Sequence, residues 1–335
     1  MSDQQEKPSE PTADSFSYAE HFGTMRVLGE LLRDPAQRPW LTSVPKDAPH
    51  HKYVLWLGCN VLRTVQLAET LDDILNYLKE DFVTLGGPSN CCGIVHESRG
   101  DVAVGKNMLQ QTMKKFDAFT PEQMLCWCPS CDNQLRTEAQ EVVTETAKQR
   151  ISVTRFLASQ LERLNFTAPQ PVRIALHYHG GFAEQEEDGR DAKHILSQIP
   201  GLSIVDMPPM EGLGRHCADA AIKSFGEHRY PAAMNEWAGE ARRRGATHVT
   251  TIYHSCHRQL LLAQRSASED TTLPIVNYLT LMARSLGLKE REDRFAQLAA
   301  SPDMAAMMQQ VEPNIRALSI KPEQARKAVE AQFRR

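Results

Sequence analysis

The sequence predicts an α/β fold of two duplicated Rossmann-like βαβ domains, each with a parallel sheet, related by a pseudo-twofold and flanked by an N-terminal helix and a helical tail. Three observations lead there. Short β-branched or aromatic runs at 53–57, 82–85, 124–127, 174–178, 203–207 and 248–253 alternate with helical patterns such as 61–78. Strands spaced by helices form parallel βαβ units with right-handed crossovers. The halves also repeat: Ser130-Cys131-Asp132-Asn133-Gln134-Leu135 matches Ser255-Cys256-His257-Arg258-Gln259-Leu260 at an offset of 125, which carries Cys92 onto Cys217 and Cys91 onto His216. The strand ending at Cys59 matches 174–179 at an offset of 120, so a gap of about five residues separates the registers. Finally, 335 residues with 41% hydrophobic content exceed one ordinary domain and suffice for two cores.

In chain order, residues 1–16 are rich in Pro, Ser, Glu and Gln without apolar periodicity and are expected to be disordered. Residues 17–50 form a helical extension in which Phe22, Met25, Val27, Leu28, Leu31 and Leu32 recur at helical spacing before Pro35. Residues 51–165 form the first cysteine-bearing domain, and 170–288 its counterpart. The tail, 289–335, carries Phe295, Leu298, Met304, Met307, Met308 and Val311 in a stripe broken by Pro302, Pro313 and Pro322. Such a stripe serves packing, and its adaptable methionines also suit docking another subunit.

A net charge of −4 provides no basic field for nucleic acid or anionic membranes. No apolar run approaches the ~20 residues that span a bilayer, and the start MSDQQEKPSEPTADS is polar and acidic, unlike a signal peptide. A cytoplasmic protein is expected. Six of the eight cysteines fall between 59 and 131, which reads as metal or redox chemistry rather than a disulfide framework.

Those cysteines form a pattern: Cys59 at a strand end, Cys91-Cys92-Gly93 in a loop, and Cys128-Pro129-Ser130-Cys131 after a third strand. Parallel strands end there, at the edge where α/β folds bind ligands. Helices starting after Cys59-Asn60 and Cys131-Asp132 would offer positive dipole ends to an anionic cluster. Five thiols exceed the four ligands of tetrahedral zinc, so the count favours iron–sulfur. The vicinal pair is strained as a chelate to one metal but can bind two, and Gly93 lets the backbone turn closely around it. Cys126, two residues before Cys128 on a strand, is expected to be core packing.

On these residues the sequence resembles the CCG-domain (cysteine-rich domain) family, best known from the catalytic subunit of heterodisulfide reductase, over about 50–285. The resemblance implies a noncubane [4Fe-4S] cluster on Cys59, Cys91, Cys92, Cys128 and Cys131, with an open iron that takes a substrate sulfur. It also implies disulfide, thiol or persulfide redox chemistry, as in heterodisulfide-reductase-like complexes of bacterial sulfur oxidation. Relatives occur too in lactate, glycolate and glycerol-3-phosphate oxidising systems.

The second half departs from the pattern, offering His179 (or Gly180 with a one-residue shift), His216-Cys217-Ala218 and Tyr253-His254-Ser255-Cys256-His257. Either that site has become structural, or Cys217 and Cys256 bind a second iron–sulfur or zinc site with help from His216, His179 or His254. Tyr253 takes a ligand position, where it either donates a proton to a bound sulfur or plugs a vacated cavity. His216 and His254 are candidates for proton transfer at neutral pH. With no G-x-G-x-x-G fingerprint in the chain, electrons are expected from flavin or ferredoxin-type iron–sulfur subunits of a hetero-oligomeric complex acting on a sulfur-containing substrate. The alternatives are an electron-transfer subunit of a flavin-dependent hydroxy-acid dehydrogenase and a zinc-stabilised scaffold.

Overall fold

A computed structural model describes residues 16–38, 40–142, 144–178, 183–208 and 217–333. The disorder expected at the amino terminus, and the candidates His179, Gly180 and His216, fall outside them. After α1 (Tyr18–Leu32), the first half runs β1 (Tyr53–Gly58), α2 (Val65–Tyr77), β2 (Phe82–Gly86), α3 (Ile94–Glu97), α4 (Val102–Asp117), β3 (Gln123–Cys126), α5 (Pro129–Val142), α6 (Glu145–Lys148), β4 (Arg150–Ser152) and α7 (Val153–Ser159). The second half runs β5 (Arg173–His177), α8 (Ala183–Ser197), β6 (Ser203–Ile204), α9 (Asp219–Phe225), α10 (Arg229–Arg243), β7 (His248–Thr251), α11 (His254–Gln264), β8 (Ile275–Asn277) and α12 (Tyr278–Ser285). Three helices follow: α13 (Arg294–Ala300), α14 (Met304–Ala317) and α15 (Pro322–Phe333).

Each half holds a four-stranded parallel sheet, in the orders β2-β1-β3-β4 and β6-β5-β7-β8. All six residues of β1 are buried, the uninterrupted apolar run expected of a parallel strand covered on both faces. The repeat is one of topology and register. Tyr53 pairs with Gln123 and Ile174 with His248, so the third strands are offset by 125 and the first by 121 (174 − 53). The halves also meet reciprocally: α7 packs on α8, while α12, the counterpart of α7, packs on α2, the counterpart of α8. Such an exchange of equivalent surfaces is isologous.

Several boundaries differ from the sequence expectation. The 203–207 run pairs over Ser203–Ile204 alone, and 248–253 stops at Thr251 because Tyr253 is already the N-cap of α11. Strands β4 and β8, three residues each, are too short to show periodicity. The helix expected at 61–78 is split into a 3₁₀ turn, Asn60–Arg63, and α2, because the wholly buried Thr64 between them lies at φ −141°, ψ 55°. Pro313 does not break α14 but sits inside it. It lies on the exposed side, where water can take up the carbonyl that a proline leaves unbonded.

The two extensions cover one another. Met25, Leu28, Leu31 and Leu32 of α1 are buried, with α14 and α15 packed on that helix and Met307, Val329 and Phe333 also buried. Asn314 Nδ2 donates to the carbonyls of Glu30 (3.0 Å) and Arg33 (2.8 Å), which closes the end of α1. Arg291 pairs bidentately with Asp73 of α2 at 2.6 and 2.7 Å. The methionine stripe is thus engaged within the chain. No described helix is long and apolar enough to cross a membrane.

Leu28, 1% exposed at the centre of this contact, is expected to cost about 2–5 kcal/mol as Leu28→Ala. Val102→Ala, at a residue 46% exposed, should stay within about 0.5 kcal/mol. Urea denaturation of the two variants checks the contrast.

Candidate metal centre

The carboxyl ends of β1, β2 and β3 deliver the three cysteine groups to one edge. β1 ends at Gly58, whose φ of +69° suits glycine and whose missing Cβ leaves room: one built there would lie 2.8 Å from Cys131 Sγ. After β2, Trp56 Nε1 donates to Asn90 O (2.8 Å) and Asn90 Nδ2 donates to Gly86 O (2.9 Å), fixing the loop that carries Cys91 and Cys92. Thr112 Oγ1 of α4 donates to Cys91 O at 3.0 Å. Gly93, at φ +85°, passes so close to α4 that a Cβ would meet Gly105 O at 2.1 Å. After β3 the chain turns into α5 at Pro129, so Cys131 lies within the first helical turn rather than ahead of it. On the other side Cys59 leads into a 3₁₀ turn instead of an α-helix, so the second expected dipole end is absent there.

All five thiols are buried, and none forms a disulfide. Cys59 Sγ lies 3.5 Å from Cys91 Sγ, and the Gly93 N–H reaches Cys91 Sγ at 3.5 Å. Hydrogen bonds link the thiols in a chain. Hydrogen bonding between Cys59 and Cys91 raises the first and lowers the second, and hydrogen bonding between Cys131 and Cys128 does the same. Cys92 is drawn down by Cys131 but pushed up by more through Cys91 and burial. Arg63, half-buried and held at about 10 by desolvation and by Arg258, brings a cation close to Cys59. A dry array of sulfur donors with two members already favouring thiolate suits soft cations and iron–sulfur ligation. Cys126 stays outside it: its thiol donates to Cys128 O at 3.6 Å, and its side chain packs among Val54, Trp56, Phe116 and Met124.

The second half reaches this site through α11. His254, 2% exposed, lies beside the Cys128 thiol and lowers it, with its ring 5.4 Å from Trp127 and Nε2 without a hydrogen-bond partner. Tyr253 turns elsewhere and donates to Asp188 at 2.7 Å. Burial raises Asp188 to about 6 against the lowering bonds from Ser152 and Tyr253. A narrow cleft of about 30 Å³ separates Trp127 and Cys128 from Asp188 and Tyr253.

The other second-half candidates group apart. Cys217 and Cys256 lie together with His177, their ligand atoms all within 4.8 Å of one another. The strand registers make His177 the equivalent of Trp56 and carry position 59 onto 180 (59 + 121), so the histidine that meets the cysteines is two residues earlier than the expected His179. Its one sequence signal is a polar residue inside an apolar strand. Asp188, far from any cysteine in sequence, left none. Arg63 and Arg258 both approach Asp219, at 3.8 and 2.9 Å, and hold that carboxyl low although burial opposes them.

Residues 53–136 match the family model of CCG, the cysteine-rich domain, a segment that includes all five converging cysteines. The family expectation therefore holds for that part of the chain, and with the group formed by His177, Cys217 and Cys256 it supports a protein of iron–sulfur type. No curated protein matches the chain. Among solved structures, a hypothetical protein from Helicobacter pylori shares the fold with a TM-score of 0.56 at 10% identity, covering 86% of this chain, which in turn spans 57% of that one. A candidate Asp/Glu racemase from Yersinia pestis aligns with a TM-score of 0.33 at 10% identity over 75% of this chain and 100% of its own, too weak a likeness to extend the argument.

Gly58→Ala tests whether the packing of this edge serves the thiols. The added methyl would meet Cys131 Sγ at 2.8 Å on a backbone at φ +69°, whereas Gly23→Ala in α1 has nothing within 4 Å. Metal analysis and circular dichroism should show the first variant losing metal with its helix content intact and the second matching wild type.

Proposed function

We propose that this chain is the iron–sulfur subunit of a heterodisulfide-reductase-like complex that reduces a disulfide, or acts in reverse on a thiol or persulfide. The observation carrying this reading is the convergence of Cys59, Cys91, Cys92, Cys128 and Cys131, in the CCG spacing, on one buried edge. Those five would hold a noncubane [4Fe-4S] cluster, which when bound supplies an electron path and an iron that accepts sulfur. The electrons come from a partner subunit carrying flavin or ferredoxin-type clusters.

The chain's own residues handle access and protons. Two-electron reduction of a disulfide to two thiols takes up two protons. His254, buried beside Cys128, is placed to give one of them to the departing sulfur, and an imidazole suits that transfer at neutral pH. The narrow cleft lined by Cys128 admits little water, which favours a directed transfer. Tyr253 holds Asp188 at 2.7 Å and forms the facing wall, a positioning role rather than proton donation.

Anaerobically prepared protein assayed with a reduced viologen and a disulfide tests this. Cys92→Ser should lose iron and turnover together. His254→Ala should keep its iron and lose about 10²-fold or more in rate, the usual range for a general acid. Electron exchange with viologen that no disulfide or persulfide accelerates would contradict the reading and favour an electron-transfer subunit of a hydroxy-acid dehydrogenase.

A further inference from the structure

We infer that the second half holds one mononuclear zinc-class divalent cation on His177 Nε2, Cys217 Sγ and Cys256 Sγ, and that this ion fixes the first turn of α11, from which His254 reaches Cys128. The three ligand atoms lie within 4.8 Å of one another. His177 Nε2 stands 3.8 Å from Cys217 Sγ. Bonds of about 2.3 Å to sulfur and 2.0–2.1 Å to nitrogen place tetrahedral ligands roughly 3.5–3.8 Å apart, so that separation matches one shared ion.

Each ligand comes from a separate element: the end of β5, the residue two before α9, and the third residue of α11. All three residues are 0% exposed. The imidazole gives independent support, because its Nδ1 has no hydrogen-bond partner and its Nε2 meets a thiol. A polar ring so poorly satisfied in a dry interior is costly, and coordination of Nε2 offsets that cost. Tyr230 Oη lies 3.4 Å from Cys217 Sγ, where its hydroxyl can donate to a metal-bound sulfur.

The donor set does not fit a second cluster of the five-cysteine kind, since positions equivalent to Cys91 and Cys128 hold His216 and Tyr253. Two thiolates and a neutral imidazole instead balance a single dipositive ion, so no net charge is buried. A fourth coordination position remains for water. Because Cys256 and His254 are two residues apart on one turn, the ion acts on the first site as a positioning device. The inference stands apart from the proposed reaction, since it requires neither iron nor sulfur substrate.

Cobalt(II) and zinc titrations of the full chain, wild type and C91S/C92S, test it. C91S/C92S should bind one equivalent with thiolate-to-cobalt charge transfer and the strong visible absorption of a tetrahedral site, and wild type, whose first-half thiols also suit soft cations, at least one. In the C91S/C92S background, adding His177→Ala should weaken binding at least tenfold, and adding Cys217→Ser or Cys256→Ser should abolish it. Zinc should also slow hydrogen exchange across 254–258. Absence of the cobalt spectrum in C91S/C92S, or affinity unchanged by His177→Ala, overturns the site. Zinc bound without added protection at 254–258 overturns its positioning role. Where C91S/C92S fails to fold, Cys217→Ser and Cys256→Ser placed in wild type should each lower the bound cobalt by one equivalent, and an unchanged stoichiometry overturns the site.

Discussion

Five thiols shut away from water share the carboxyl edge of the first sheet, and much of the chain serves that constraint. Thiolates gathered in a dry interior repel one another unless cations lie among them. The fold therefore has to bring Cys59, Cys91, Cys92, Cys128 and Cys131 together and leave space between them. Gly58 provides part of the space by lacking a Cβ, and Gly93 and Gly105 let a loop and a helix approach more closely than side chains would allow. Trp56 and Asn90 hold the loop by hydrogen bonds that do not involve sulfur.

The duplication sets these features against a second set with different chemistry. Trp56 ties a loop in the first half, whereas His177, its equivalent in the second, turns its imidazole on Cys217. Cys128 is part of the thiol chain, while Tyr253, 125 residues on, bonds Asp188 within its own half. The reciprocal packing of α7 on α8 and α12 on α2 makes the inequality useful. It brings the start of α11 against the first-half cysteines, so a residue of the altered half, His254, lies beside Cys128.

Much of this was legible in the sequence because apolar runs and cysteine spacing are local signals. Six of the eight strands, the repeat and the five-cysteine pattern all appear there. Features that depend on how segments meet did not. His177 is an ordinary strand histidine until the register places it by Cys217 and Cys256, and Asp188 gains meaning only where the halves touch. The methionines of the tail read as a packing stripe that also suits docking, and its partner, α1 against α14 and α15, emerges only in the fold. The proline at 313 misled because the cost of proline in a helix depends on which face it occupies, and here that face meets solvent.

The central claim is that one duplicated fold holds two unlike metal centres. Iron, acid-labile sulfide and zinc counted per chain on anaerobically purified full-length protein test it most directly. The account predicts about four irons with about four sulfides, as a single [4Fe-4S] unit requires, and about one zinc. About eight irons shared between the halves, or zinc with no iron after anaerobic reconstitution, would contradict it.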